Sequence, residues 1–102
     1  MPRRLAHVVG FDDAPFEPGH RGDVLVVGTV YSGLRLEGVV SGKVRRDGTN
    51  STDTLIRLIS QSRYQAHIQA VMLQGIAFAG FNVVDVRGLH ERLGIPVVVI
   101  AR

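Results

Sequence analysis

The sequence predicts one α/β domain built on a mixed five-stranded β-sheet. Three observations favour this fold class: short apolar runs rich in β-branched side chains, two amphipathic helical stretches in the second half, and a glycine-containing turn between the second and third runs. A chain of 102 residues is long enough for a single hydrophobic core and short for two. We therefore expect one domain over residues 1–102.

Three apolar runs open the sequence and predict the first three strands. They span residues 6–11, 24–31 and 34–40. The first run ends at Asp12 and Asp13, where a polar, proline-containing loop begins. Ser32-Gly33 separates the second run from the third, which is typical of a tight hairpin. We expect these strands to form an antiparallel meander.

The second half of the chain alternates between helix and strand. Polar residues 45–54 lead into a first helix with apolar side chains at helical spacing, and Asn50 or Ser51 can cap it. The remaining predicted elements are a fourth strand at 68–73, a second helix at 83–93 that ends at Gly94, and a last strand at 96–100. The element order is therefore β-β-β-α-β-α-β.

This order constrains how the sheet is assembled. Strands joined by a helix are expected to be parallel, with a right-handed crossover. A first strand parallel to the fourth completes the sheet, with one helix on each face or both helices on the same face. This is the element order of the ribonuclease H-like fold, although unrelated α/β folds share it.

Composition excludes several classes of protein. The chain has no cysteine, so disulfides, thiolate metal sites and cysteine nucleophiles are excluded. No stretch approaches ~18 uninterrupted apolar residues, and residues 1–7 lack the apolar segment of a signal peptide. We expect a soluble cytoplasmic protein with no membrane partner.

Charge points weakly towards a nucleic-acid partner. The formal net charge is +3, and every basic residue except Lys43 and the histidines is arginine. Arginine suits contacts to phosphate. Arginine-rich codon usage is the alternative explanation, and the arginines are dispersed along the chain.

Acidic and amide side chains end two strands that are predicted to be neighbours. Ligands of open α/β sheets bind beyond the carboxyl ends of the parallel strands, which makes Asp12, Asp13 and Gln74 candidate catalytic residues. Alternation sends the side chains of Asp12 and Asp13 to opposite faces, so only one should enter a given site. A carboxylate there can hold Mg²⁺ or Mn²⁺ through oxygen. The alternative is an aspartate that hydrogen-bonds its own loop.

Further candidates each have a structural alternative. Asp85 is a second candidate metal ligand, but the spacing from Asn82 is also that of a helix cap. Phe78 and Phe81 are either core side chains or a wedge for a flipped base. The candidate nucleic-acid contacts are Arg45, Arg46, Phe78 and Asn82.

Two motifs suggest a family. Residues 71–85 (VMLQGIAFAGFNVVD) and residues 10–16 (GFDDAPF) resemble endonuclease dU, an archaeal family first described as a domain of unknown function and similar to endonuclease V. Further matches are LEGV at 36–39, DGTNSTD at 47–53 and LGIPVVV at 93–99. The resemblance covers nearly the whole chain.

The resemblance implies a ribonuclease H-like, metal-dependent nuclease that cuts DNA near deaminated bases, deoxyuridine or deoxyinosine. The endonuclease V group places a catalytic aspartate at the end of the first strand, which matches Asp12 or its neighbour Asp13. Another aspartate ends the fourth strand in that group, whereas this chain has Gln74. An amide carbonyl can ligate a cation but carries no charge and is no base. A nucleic-acid- or nucleotide-binding module without catalysis is therefore the alternative function.

Length is the second departure from the family. Its members continue well past the fifth strand with a further helical segment. We expect this chain to lack that segment and the metal-site residues it carries, or to close its fold as a homo-oligomer with an apolar sheet face at the interface.

Overall fold

Seven strands and two helices make up the part of the chain that the structure describes, residues 7–101. In this computed structural model the strands are β1 (His7–Asp13), β2 (Asp23–Ser32), β3 (Arg35–Arg45), β4 (Ile68–Gln74), β5 (Ala77–Phe78), β6 (Asn82–Val83) and β7 (Val97–Ile100). The helices are α1 (Ser51–Ser60) and α2 (Val86–Leu93). No helix among the described residues is both long and apolar enough to cross a membrane.

The main sheet has the predicted mixed topology. Its strand order is β3-β2-β1-β4-β7. β2 is antiparallel to both β1 and β3, whereas β4 is parallel to both β1 and β7. Gly33, with a φ of 61°, takes the left-handed conformation that the turn between β2 and β3 requires. The five-stranded sheet and the α/β fold class are confirmed.

Two strands are longer than predicted because pairing with β2 overrides local sequence. β1 continues through Asp12 and Asp13, which pair with Val27 and Val26. β3 runs on past residue 40 to Arg45 although its second half is polar and contains glycine. Backbone pairing with β2 therefore keeps these residues in strands even though their own strand propensity is low.

The largest difference from the predicted elements lies between β4 and α2. The second helix begins at Val86 and not at residue 83, and β5 and β6 form a hairpin ahead of it. The hairpin turns at Ala79 and Gly80, whose φ values of 51° and 84° are both left-handed. Such a turn cannot belong to a right-handed helix, so the helix starts only after the hairpin.

Both helices pack on the same face of the sheet. Alternate side chains of β1 and β4 form one buried cluster with side chains of both helices. Its members include Val9, Phe11, Val71, Leu73, Leu55, Ile59 and Leu89. The opposite face, which we call the open face, presents the alternate residues of these strands and carries exposed apolar side chains such as Leu36, Val39 and Val98.

Gly28 provides a test of packing on the helix-covered face. A Cβ atom at Gly28 would lie 2.4 Å from Cε1 of Phe11 and 2.9 Å from Cγ2 of Val40. We predict that Gly28→Ala lowers the free energy of unfolding by about 1–3 kcal/mol, because the extra methyl displaces core side chains. Urea denaturation followed by circular dichroism measures the change.

The matched control for this experiment is Gly10→Ala, one strand away. Its added Cβ would meet nothing closer than Oγ1 of Thr29 at 3.9 Å, an ordinary contact distance. We expect the control to leave stability within about 0.5 kcal/mol of the parent chain. Equal losses in the two variants would contradict the packing argument.

Candidate functional site

The carboxyl ends of four strands, β1, β3, β4 and β7, lie along one edge of the sheet. β1 and β4 are parallel, and β3 runs the same way because both β1 and β3 are antiparallel to β2. The polar and charged residues at these ends are Asp12, Asp13, Arg45 and Gln74. We call this the carboxyl edge. Four of the site residues predicted from the sequence therefore lie at this edge, although they do not all face the same side of the sheet.

Asp12 and Gln74 lie next to each other in a cleft on the open face. The parallel register that pairs Phe11 with Leu73 puts the next residues, Asp12 and Gln74, side by side. The cleft has a volume of about 380 Å³. It is lined by Gly10, Phe11, Asp12, Val27, Thr29, Tyr31, Met72, Gln74 and Ile100. Asp12 and Gln74 stand at the carboxyl end of this lining, and Thr29 and Tyr31 follow along β2.

Asp13 points to the other face, as the alternation of a strand requires. Its Oδ2 accepts a hydrogen bond from the backbone N–H of Ala79 at 2.8 Å. The structure therefore does not bring Asp13 into the cleft with Asp12. Its carboxylate holds the β5–β6 hairpin (residues 77–83) against the end of β1.

Asp47, which was not among the predicted site residues, holds the same hairpin from the end of β3. Its Oδ1 accepts from the N–H of Phe81 at 2.9 Å, and its own N–H donates to the carbonyl of Ala79 at 2.9 Å. Asp47 takes a left-handed φ of 54°. The adjacent Asp-Gly pair in the sequence signals a turn, but nothing local indicates the distant partner.

Asn82 is a buried junction between three segments, with no exposed surface. Its Oδ1 accepts from the N–H of Ser51 at 2.9 Å, and its Nδ2 donates to the Arg45 carbonyl and to Oδ1 of Asn50, each at 2.8 Å. Asn50 occupies the N-cap position of α1 without a side-chain capping bond. Asn82 therefore satisfies an N–H in the first turn of α1 from a distant strand.

The structure corrects two of the expected nucleic-acid contacts. Asn82 and Phe78 are both fully buried, and Phe78 belongs to the hydrophobic core. Neither offers surface to a ligand. The neighbouring Phe81 differs sharply, with 80% of its surface exposed at the tip of the β5–β6 hairpin.

Asp85 caps a helix and stands outside the cleft. Its Oδ1 accepts from the N–H of Gly88 at 3.0 Å, and its own N–H donates to Oγ1 of Thr52 at 2.8 Å. The expectation that Asn82 would cap this helix is wrong, because Asp85 itself is the N-cap residue. Within residues 7–101, no three histidine or acidic side chains are grouped so as to hold a metal ion.

The two candidate arginines have different surroundings. Arg46 donates to the carbonyl of His20, and its guanidinium carbon lies 5.5 Å from the centre of the Phe16 ring. Arg46 thereby holds the loop that follows β1. The side chain of Arg45 is exposed at the carboxyl edge.

The Asn82 junction yields a stability prediction. Asn82→Ala would leave the buried N–H of Ser51 and the part-buried carbonyl of Arg45 without this partner. We expect the free energy of unfolding to fall by about 2–4 kcal/mol, since each buried group left unsatisfied costs roughly 1–3 kcal/mol. Thermal and urea denaturation measure the loss.

Asp85→Ala is the control for that experiment. It removes an exposed cap bond, and we expect a loss of only about 1 kcal/mol. Asp85→Asn, which keeps a capping oxygen, should be close to the parent. An Asn82→Ala chain as stable as Asp85→Ala would contradict the junction's role.

Sequence relatives match the chain along almost its whole length. A UPF0215 protein of Deinococcus radiodurans is 59% identical over 99 residues, which are 97% of this chain and 50% of that protein. A UPF0215 protein of Methanothermobacter thermautotrophicus is 46% identical over 96 residues, 93% of this chain and 47% of that protein. This chain thus spans about half the length of the curated relatives it matches.

Solved structures show the same architecture. A protein of unknown function from Archaeoglobus fulgidus is similar with a TM-score of 0.86 and 34% identity, over 95% of this chain and 54% of that one. The catalytic domain of human endonuclease V matches with a TM-score of 0.67 and 21% identity, over 95% and 45% of the two chains. Endonuclease V of Ciona intestinalis, solved in complex with inosine-containing DNA, matches with a TM-score of 0.63 and 15% identity, over 94% and 45%. The fold is therefore that of the endonuclease V structures.

The family model for endonuclease dU matches residues 4–102, which include the carboxyl edge, the cleft and the hairpin. This chain belongs to the endonuclease dU family.

Proposed function

We propose that this chain hydrolyses DNA phosphodiesters with the help of a divalent cation, at or near deaminated bases such as deoxyuridine or deoxyinosine. The observation that carries the proposal is the side-by-side placement of Asp12 and Gln74 in an open cleft at the carboxyl edge. Membership of the endonuclease dU family supports the reaction class. The inosine-containing DNA bound to the Ciona intestinalis endonuclease V supports the substrate class.

The donors of the cleft fit Mg²⁺ or Mn²⁺. Asp12 contributes a carboxylate, Gln74 an amide carbonyl and Thr29 a hydroxyl, and all three side chains line the same space. Mg²⁺ is commonly held by one or two carboxylates, with waters and substrate phosphates completing the shell. Asp12 and Gln74 are the residues that would hold the cation.

Each of these side chains has a defined task in the proposal. When bound, a divalent cation draws charge from a phosphoryl oxygen and makes water a better nucleophile. The carboxylate of Asp12 supplies the negative charge that attracts the cation to the end of β1. Gln74 would offer its carbonyl oxygen to the cation, and its NH₂ group can donate a hydrogen bond to a phosphate oxygen.

The remaining contacts belong to the DNA backbone. Arg45 is exposed at the carboxyl edge and can pair with a phosphate. Arg46 has an indirect, positioning role, because its guanidinium already holds the loop after β1. Asp13 likewise has an indirect role, because its carboxylate fixes the β5–β6 hairpin.

A binding module without catalysis is the second candidate function, and Gln74 is the observation that favours it. A neutral amide beside Asp12 leaves the cleft with one carboxylate. Such a site can still take a phosphate–cation pair, but it attracts the cation less strongly than two carboxylates would.

Asp12→Asn tests the proposal, because it removes the charge and keeps the shape. We predict that millimolar Mn²⁺ raises the melting temperature of the parent chain relative to EDTA, and that Asp12→Asn removes this shift. The parent should nick a duplex containing deoxyuridine or deoxyinosine in Mn²⁺, and Asp12→Asn should not. Differential scanning fluorimetry and gel electrophoresis provide the two measurements.

Asp13→Asn is the matched control, one residue away on the opposite face. Its amide oxygen can still accept from Ala79, so both the metal shift and the nicking should persist. A metal shift without nicking would favour the binding module. A metal response unchanged in Asp12→Asn would show the cation site to be misassigned.

Gln74→Asp tests the role of the neutral ligand. A second carboxylate in the cleft should tighten Mn²⁺ binding by at least about tenfold, which corresponds to about 1.4 kcal/mol. Titration calorimetry on the parent, Gln74→Asp and the oxygen-free control Gln74→Leu measures this. Equal affinities in all three would remove residue 74 from the site.

A further inference from the structure

The tip of the β5–β6 hairpin exposes one aromatic ring between residues that are buried. Phe78, Ala79 and Asn82 are fully buried, whereas Phe81 is 80% exposed. A phenyl ring in water adds nothing to the hydrophobic stability of the fold. A single exposed apolar residue needs no explanation by itself, so the inference depends on how this one is held.

Side chains from two strand ends hold the backbone on either side of the ring. Asp13 Oδ2 accepts from the N–H of Ala79 at 2.8 Å. Asp47 Oδ1 accepts from the N–H of Phe81 at 2.9 Å. Asn82, the next residue, makes three side-chain hydrogen bonds to residues 45, 50 and 51. The phenyl ring therefore projects from a rigid support.

The backbone of the tip takes an unfavourable conformation. Ala79 has a φ of 51°, which is uncommon for a residue other than glycine. A Cβ atom at Gly80 would lie 2.3 Å from Oδ1 of Asp47, so only glycine allows the tip to dock on that carboxylate. Such conformations persist where the surroundings enforce them, and they concentrate at ligand sites.

The hairpin is joined directly to the candidate site. Asp13, which holds Ala79, follows Asp12 in β1, so the cleft and the hairpin lie on opposite sides of one strand end. Asp47, which holds Phe81, comes two residues after the exposed Arg45. Arg45 and Phe81 therefore belong to segments that meet at the carboxyl edge, through the backbone carbonyl of Arg45 and the carboxylate of Asp47.

We propose that Phe81 is a stacking platform for an unpaired nucleobase of a nucleic-acid strand bound at the carboxyl edge. The inference rests on the proposed function only in taking nucleic acid as the ligand. Aromatic rings on a rigid support beside phosphate-binding cations are how proteins hold single strands, because every base has a π face. A protein partner would need a far larger contact area than one ring supplies.

The test compares an oligonucleotide with and without its bases. Fluorescence anisotropy in EDTA measures binding of a labelled oligothymidylate and of an abasic oligomer with the same number of phosphates. The parent chain should bind oligothymidylate more tightly. Phe81→Ala should weaken oligothymidylate binding by about 5- to 100-fold and leave binding of the abasic oligomer unchanged.

Three further variants separate stacking from apolar contact and from folding. Phe81→Trp should retain the preference for bases, and Phe81→Leu should lose most of it. Val83→Ala, which shortens another exposed apolar side chain of the hairpin, should change neither affinity. The melting temperature of Phe81→Ala should equal that of the parent, because the ring is exposed.

Other outcomes overturn the inference. A parent chain that binds neither oligomer, or binds both equally, contradicts the stacking role. The role is also contradicted if Phe81→Ala weakens binding of both oligomers to the same extent. It is contradicted as well if Phe81→Ala still binds oligothymidylate more tightly than the abasic oligomer. Because the assay contains EDTA, it is independent of the cation site. If the oligonucleotide assay fails but Mn²⁺ raises the melting temperature in a way that depends on Asp12, only the stacking role of Phe81 is contradicted. If the chain binds oligothymidylate more tightly but Mn²⁺ does not change its melting temperature, only the proposed metal-dependent hydrolysis is contradicted.

Discussion

The buried amide of Asn82 connects the β5–β6 hairpin to the end of β3 and to the start of α1. Its oxygen takes an N–H from the first turn of α1, and its nitrogen donates to the end of β3 and to the loop before α1. Through these bonds the hairpin, the helix and the strand end keep one relative arrangement. Because the amide is fully buried, water cannot replace a lost partner.

The alternation of β1 divides two adjacent aspartates between two tasks. Asp12 faces the cleft on the open face, and Asp13 faces the hairpin on the helix-covered face. A movement of the strand end would therefore change both the cleft and the tip that presents Phe81. This arrangement places the proposed cation cleft and the proposed stacking ring at opposite sides of a single strand end.

Gln74 and the open face set the chemistry of the cleft. The neutral amide leaves Asp12 as the carboxylate of the cleft, so the proposed cation binding would depend strongly on that residue and on ligand phosphates. The open face carries apolar side chains and also contains the cleft. The chain spans about half the length of the curated relatives that it matches.

The sequence by itself determined the fold class, the strand order, the helix stop at Gly94 and the opposite orientation of Asp12 and Asp13, because periodicity and turn chemistry are local. It also carried the family resemblance in residues 71–85. Only the tertiary structure decided that Phe78 and Asn82 are buried, that Phe81 is exposed, and that α2 begins after a hairpin. Those outcomes depend on hydrogen bonds to residues more than thirty positions away, such as Asp47 to Phe81, and no local pattern encodes such partners.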